Sequence, residues 1–387
     1  MTERVGIVAA AQTRYEEMKP AQDFIELVYE VVEQVLQQTG LTFVDRVKDG
    51  FGIDASVSAS QDHCDARTIS SGDMQEEMGG YNLAEEKVAN DGSLAFYNAV
   101  TQVLAGDYDV VLVVSHTKES HAPRRVIENC AFDPIYQQPV GLDYLTAAAL
   151  QAKRYMYKYG ITREQCAKVV VKNRGNAKNN PYAQAPLDLS VEEVLKSPML
   201  ADPITALDTK PFSDGACALI IAREEKAGKI TDKPVWVTGM GNCYDAHYLG
   251  SRELADCDSL VEASRRAYRM SGISNPFKEI DLVELSEEYS YQELLWMEGL
   301  GLCERGGAGE MIDRGITEMN GDLPVNPSGG VLSGCPMNVA GMARIVEATL
   351  QLRGEAGARQ IEGARTAIAQ GTTGPCGQSH CVIILSA

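Results

Sequence analysis

The chain reads as an α/β protein whose sheets are covered by helices on both faces, and three observations carry that reading. Short apolar runs of strand length alternate with longer segments of helical spacing. The strand–helix–strand order occurs twice, once in each half, although the halves share negligible sequence identity. A helix beginning near Gly92 is apolar on most of its sides, which predicts a position inside the protein rather than on its surface.

Taken in order, Val5–Ala11 is an apolar run ending in polar residues and is predicted as the first strand. From Phe24 the apolar residues fall at 24, 27, 28, 31, 32, 35 and 36, a helical spacing, and Gly40 stops it. Asp49–Ile53 is a candidate strand, and 54–80 is polar and reads as irregular. A compact unit follows: Lys87–Val88 as strand, a turn at Asn90-Asp91-Gly92, a helix to Leu104, and the strand Val110–Ser115. Residues 118–205 contain Pro123, Pro134 and Pro139 and amphipathic helices near 143–159 and 163–178; they read as an insertion. In the second half Val235–Met240 is a strand, and Ser259–Met270 a helix with Gly272 behind it. Leu282–Leu285 is a strand followed by a polar loop. An NPSGG turn, a helix from Asn338 to Leu352 and a last strand Cys381–Leu385 complete the chain.

The 387 residues suffice for two core units at roughly 150 residues each. No apolar run reaches the ~18 residues of a membrane span, and the N-terminus reads as a strand rather than a signal peptide. Ten cysteines without a CxxC pair or zinc spacing are expected to be reduced thiols in a cytoplasm, with no metal site in this chain. A formal net charge of −19 argues against nucleic acid or an anionic membrane as partner. A polyanionic ligand would need a local basic patch. Arg124-Arg125, Lys153-Arg154 and Lys168 to Lys178 are the candidates, unless a partner subunit supplies the charge.

Two stretches, LDTKPFSDGACALIIA (207–222) and VNPSGGVLSGCPMNVAG (325–341), are small-residue turns followed by apolar runs. Four more segments accompany them: 146–184, SPMLADPITALDTKPFSDGA (197–216), LVELSEEYSYQELLWMEGLGLCERGGAG (282–309) and GTTGPCGQSHCVIIL (371–385). In this order, over essentially the whole chain, they resemble the thiolase superfamily, in particular its sterol-carrier-type branch. These enzymes make or break carbon–carbon bonds in acyl-CoA thioesters. The resemblance implies a thiolase fold, with two similar αβα core halves stacked into five layers. The N-terminal half would be 1–117 plus 206–225, the C-terminal half 226–387, and 118–205 a loop domain over the coenzyme A channel. It also implies a homodimer paired through the strand that follows the nucleophile helix.

Thiolysis needs a thiolate, which the family places at the N-terminus of a buried helix, where unpaired amides and the dipole stabilise negative charge. Anchoring Gly92, Ser93 and Phe96 on the family pattern puts Ala89 at the nucleophile position, and alanine cannot form an acyl-enzyme. An engineered replacement and a natural loss both account for it. The second motif, Asn or His followed by x-x-Phe, is Ser286-Glu287-Glu288-Tyr289: Ser286 would hold a water of the oxyanion hole and Glu287 or Glu288 would act as base. The family's Gly-His-Pro is Gly334-Cys335-Pro336, with Cys335 the candidate acid/base. The fourth position is Gly371, near Cys376 and His380; His380 and His116 are candidate replacements for the missing imidazole. Asn326, Ser328, Gly329, Gly330, Arg124, Arg125 and Gly374 are the residues expected to bind substrate and coenzyme A.

These departures resemble an outlying branch that pairs with a small zinc-ribbon/OB-fold subunit, which would carry any zinc. The implied reaction is CoA-dependent cleavage of a bulky or aromatic β-ketoacyl-CoA, such as benzoylsuccinyl-CoA to benzoyl-CoA and succinyl-CoA. The alternatives are acylation of an aromatic ring without free CoA, and a non-catalytic scaffold that binds acyl-CoA. All of them share one expected geometry: residue 89 caps a hidden helical tip and faces Cys335 and Ser286 across a narrow tunnel.

Overall fold

Long strands buried along nearly their whole length require cover on both faces, and this is what sets the layers. The computed structural model describes residues 4–43, 52–80 and 83–387, the side chains of 124 and 125 excepted. In the N-terminal half lie β1 (Val5–Gln12), β2 (Ala55–Ala59), β3 (Ala84–Val88), β4 (Val110–Lys118) and β5 (Asp214–Arg223). The C-terminal half holds β6 (Val235–Tyr244), β7 (Leu282–Glu284), β8 (Thr366–Thr373) and β9 (Ser379–Ser386). Among the described residues they run in the order β3-β2-β4-β5-β1-β6-β9-β8-β7.

Among the described residues the strands of the two halves pair where Gly6 and Ile7 of β1 meet Trp236 and Val235 of β6. On either side of this seam the order is the same. From the seam outward the N-terminal half places its first, last, fourth and second strands, then β3. The C-terminal half places its first, last, penultimate and second strands, and an isolated parallel bridge from Val283 to Val325 stands where a counterpart of β3 would be.

Helices fill the layers around these sheets. The amphipathic α1 (Phe24–Thr39) starts at a capping box between Asp23 and Glu26 and ends at a left-handed Gly40. Its Leu27, Val31 and Val35 cover one outer face, against Leu112 and Ile220. On the other outer face α5 (Asp258–Ser271) lies directly on β6, because Gly239 and Gly241 have no Cβ to strike the Ala267 and Ala263 carbonyls. Between the sheets sit α2 (Gly92–Ala105) and α7 (Ala340–Arg353). Phe96, Val100, Met342 and Val346 pack with Val113 and Leu219 from one sheet and Ile383 and Leu385 from the other. The result is helix, sheet, paired helices, sheet, helix: the five layers expected. In the region of the insertion, α3 (Tyr144–Tyr159) and α4 (Arg163–Asn176) pack through Tyr155, Val169 and Val170 onto the C-terminal core.

Four expectations change. Residues 54–80 contain β2, fully buried between β3 and β4; its Ala-Ser-Val-Ser-Ala sequence hides a strand behind small polar residues. Of the candidate strand Asp49–Ile53, 49–51 lie outside the described residues and 52–53 are not strand. The polar loop after β7 leads straight into α6 (Ser290–Gly299), buried at every position and so without a polar face to betray its period. Finally, the strand that follows the nucleophile helix is β4, which is interior between β2 and β5; among the described residues the outermost strand of this half is β3. Among the described residues no helix is long and apolar enough to cross a membrane.

The central pair of helices meets closely at Gly92, where a Cβ would stand 2.7 Å from Met342 Cβ and 2.9 Å from Ser115 Cβ. Gly92→Ala is therefore expected to cost about 1–3 kcal/mol by overpacking, read as a melting temperature several degrees lower by circular dichroism. An unchanged melting temperature would refute this close approach.

Candidate active site

The turn between β3 and α2 carries the first motif, and its cap is Asp91. Asp91 Oδ1 accepts from the Ser93 amide at 2.9 Å and the Ser93 hydroxyl at 2.5 Å. Its Oδ2 accepts from the Gly341 amide at 2.9 Å, in the first turn of α7. One carboxylate thus closes the positive ends of both central helices. Burial pushes its pKa up to about 6, although the donors pull the other way. Gly341 and Gly371 make room for it, since a Cβ at either would fall on the carboxylate. Ala89 lies two residues outside this cap and is exposed. The expectation that it caps a hidden tip is corrected: the tip is hidden, but the chain before Asp91 runs out along the edge strand.

Around the tip the other motifs converge. The Asn338 carbonyl, three residues after Cys335, accepts from the Gly92 amide at 2.7 Å and the Ser115 hydroxyl at 2.8 Å. Gly371 rests against Ser93 and Asp91. Its neighbour Gln370 accepts from the Ser286 amide at 3.0 Å and donates from Nε2 to His380 Nδ1 at 2.9 Å. Ser286 Oγ is buried and has no hydrogen-bond partner among the described residues, so it remains available to a water. Burial pushes the Cys335 thiol up to about 12, with Arg344, Lys210 and Tyr15 opposing, so it is a neutral thiol rather than a ready base. Burial also lowers His380 to about 3, and its ring stands edge-on to Trp296 at 4.6 Å; it is neutral near pH 7 and cannot shuttle protons there. His116 is bound to Asp65 at 2.9 Å and stacks on Phe24 of α1, a structural pair in the outer core.

The two glutamates of the second motif part company. Glu287 points inward, accepting from Asn173 Nδ2 at 3.1 Å, the Leu332 amide at 3.2 Å and Asn326 Nδ2 at 3.0 Å. Burial and the neighbouring Glu293 push it up to about 8. Glu288 instead lines a cavity of about 290 Å³ together with Lys210, Thr209, Phe212 and Tyr289.

The NPSGG turn faces the interior. Asn326 bridges Glu287 and Glu293, and Ser328 donates to Glu284, which also takes Arg344 at 2.6 Å. Gly330 and Gly329 have no room for a side chain, beside Glu287 and Ala177 respectively. All four residues are held against interior partners. Gly374 has positive φ in the turn before β9 and lies against Gln378. The side chains of Arg124 and Arg125 lie outside the described residues. Of the other basic candidates, Lys153 pairs with Asp202, Arg154 with Glu253, Lys168 with Asp313, Lys172 with Glu293 and Lys178 with Asp188, while Arg174 donates to the Ala185 and Thr209 carbonyls.

Three site residues escaped the sequence reading: Asp91, Lys210 and Glu119. Asp91 had a signal, being an N-cap residue directly before Gly-Ser. Lys210 stood inside a motif read for its small residues. Glu119 had none: Lys210, Ser213 and Met337, which it binds here, lie about 90 or more positions away. None of the ten cysteines is in a disulfide, and among the described residues no three His, Cys, Asp or Glu side chains are grouped to hold a metal.

Comparison with known proteins matches residues 5–225 to the family model "Thiolase, N-terminal domain" and 241–387 to "Thiolase C-terminal domain-like". The acetyl-CoA acetyltransferase of Methanothermobacter thermautotrophicus is 38% identical over 283 residues, 72% of this chain and 73% of that protein. Benzoylsuccinyl-CoA thiolase subunit BbsB of Thauera aromatica is 32% identical over 297 residues, 75% of this chain and 76% of that one. Among solved structures the "Ltp2-ChsH2(DUF35) aldolase" superposes with a TM-score of 0.85 at 24% identity, covering 99% of this chain and 98% of that one. The match spans only 54% of the bovine sterol carrier protein 2.

Glu287 makes stability depend on pH. A carboxyl whose pKa is raised on folding contributes stability that is complete below its unfolded value of ~4.3 and is lost as pH rises through about 8. The melting temperature is expected to fall over that window, and Glu287→Gln to flatten this part of the fall. Equal slopes in both proteins would rule out a protonated Glu287.

Proposed function

This chain belongs to the thiolase family, and we propose that it makes or breaks the bond between the α and β carbons of an acyl-CoA without an acyl-enzyme. One observation carries the proposal: the positive ends of α2 and α7, where a thiolate would be stabilised, are filled by Asp91, while position 89 is an exposed alanine. The cysteines nearest the motifs offer no substitute. Burial pushes the Cys335 and Cys376 thiols up to about 12, and that of Cys381 upward as well.

What remains is acid–base chemistry. Aldol cleavage of a β-hydroxyacyl-CoA needs a base for the β-hydroxyl proton and a group that stabilises the thioester enolate, with no covalent intermediate. The likeness in fold to a protein named as an aldolase supports this reaction. A bulky or aromatic acyl group is supported by the likeness to the benzoylsuccinyl-CoA thiolase subunit, and by a second cavity of about 450 Å³ that shares Glu128 with the first. The naming of that relative as a subunit, and of the aldolase together with DUF35, supports a small partner subunit, the proposed zinc-ribbon/OB-fold chain. A homodimer through the β3 edge and a cytoplasmic location complete the proposal.

The second reading is CoA-dependent thiolysis of a benzoylsuccinyl-type β-ketoacyl-CoA by a form with cysteine at 89. The 32% identity to BbsB favours it.

The test uses the chain with any subunit that copurifies. With 3-hydroxy-3-phenylpropanoyl-CoA and 3-hydroxybutanoyl-CoA, the expected products are acetyl-CoA and the corresponding aldehyde, formed without free CoA. No cleavage by this chain, with CoA-dependent cleavage of a β-ketoacyl-CoA by Ala89→Cys, would transfer the assignment to thiolysis; inactivity of both would leave a scaffold. The new thiol in Ala89→Cys is expected to titrate near the ordinary ~8.5. A thiol pKa below about 7 would mean that the tip still activates a nucleophile.

A further inference from the structure

Resting on the aldol reading, we propose that Lys210 and Glu288 are the reacting pair: Glu288 takes the β-hydroxyl proton and Lys210 holds the developing enolate oxygen. Both line the 290 Å³ cavity, and they come from different segments laid side by side. The Lys210 amide donates to the Glu288 carbonyl at 2.9 Å, and Thr209 pairs with Tyr289 in an antiparallel bridge. Backbone geometry therefore fixes the pair. Lys210 Nζ stands 4.0 Å from Glu288 Oε1, so a substrate oxygen in the cavity beside the pair can lie within hydrogen-bond range of both.

Glu119 anchors the ammonium from behind. Its Oε1 takes Lys210 Nζ at 3.1 Å and the Met337 amide at 3.0 Å, and its Oε2 takes the Ser213 amide at 2.8 Å. These bonds tie Lys210 to the Gly-Cys-Pro loop, so three family segments meet at one cation. A lysine held by a single buried carboxylate retains ammonium protons for a second acceptor. Glu288, with a partly exposed side chain, is the carboxylate that both the cavity and the cation reach.

The step balances. Glu288 removes the hydroxyl proton, and the O–H pair becomes the carbonyl π bond of the departing aldehyde. The Cα–Cβ bond breaks and its electrons form the thioester enolate, whose oxygen accepts a hydrogen bond from Lys210. The proton held by Glu288 then returns to Cα, giving the shortened acyl-CoA.

Glu288→Gln, Lys210→Met and Lys210→Arg test the assignment with 3-hydroxy-3-phenylpropanoyl-CoA. The first two are expected to lower kcat about 10²–10³-fold with KM within about threefold, and Lys210→Arg to keep part of the rate. With acetyl-CoA alone supplied in D2O, the unaltered chain should exchange deuterium into its methyl group, and Glu288→Gln should do so about 10²-fold more slowly. Lys210→Met strands Glu119 in the interior and lowers the melting temperature; Glu288→Gln does not, so its rate decides. If the unaltered chain cleaves the substrate and Glu288→Gln retains kcat within twofold, this pair is wrong and the aldol reading stands. If the unaltered chain cleaves nothing, both fall.

Discussion

A single buried carboxylate between two helix ends governs this molecule. Asp91 belongs to the N-terminal half and Gly341 to the C-terminal half, yet one side chain satisfies amides in both. A lone carboxylate would be costly in such an interior; here three donors and two helix dipoles offset its burial. The contact also dictates sequence around it. Gly341 and Gly371 must lack side chains, and Ser93 must offer its hydroxyl. The five-layered architecture depends on the two central helices meeting, and Asp91 is where they meet. The chemistry follows from the same fact. Positive helix ends that already hold an anion have little left to lower the pKa of a thiol nearby, so the alanine at 89 is consistent with its surroundings.

The C-terminal half applies the same rule more widely. Glu284 is matched by Arg344 and Ser328, Glu293 by Lys172 and two asparagines, and Glu347 by Arg359. Each buried acid has a charged or amide partner fixed by the fold. The glycine-rich turn that resembles a ligand cradle is part of this set, since its tight backbone lets Asn326 and Ser328 reach inward. The loop bearing the second motif then presents successive side chains to opposite sides. Glu287 goes to the interior network and Glu288 to the cavity, which moves the available carboxylate one residue from the sequestered one.

How far the sequence revealed this depends on whether local pattern or distant contact decides each part. The helix from Phe24, the strands at Val5 and Val110 and the turn at Asn90 to Gly92 were legible, because a period, a cap or a breaker marks each. The strand at Ala55–Ala59 was not, since alternating serine and alanine conceal burial that comes from β3 and β4 on either side. α6 escaped because full burial removes the polar face on which helical period is read. At the site, the motif segments identified in the sequence do converge, but the interior partners of Asn326 and Ser328 were not legible. Whether Asn326 faces a ligand or Glu287 is decided by a partner 39 positions away, and sequence spacing carries no record of that.

Charge distribution orients the proposed substrate. A chain of net charge −19 has to admit a coenzyme A carrying several phosphates, yet the cavity beside Lys210 is also lined by Glu128, Asp143 and Glu288. Phosphates would be repelled there, whereas a neutral thioester with a β-hydroxyl would find one cation and one carboxylate at the right separation. The acyl end therefore belongs at Lys210, with the nucleotide outside. The lysines along α3 and α4 cannot receive it freely, being paired to carboxylates. On the proposed reading the phosphates fall to Arg124-Arg125 or to a small basic partner. On that reading so acidic a chain serves a polyanionic ligand by a division of labour, keeping Lys210 for the bond that changes.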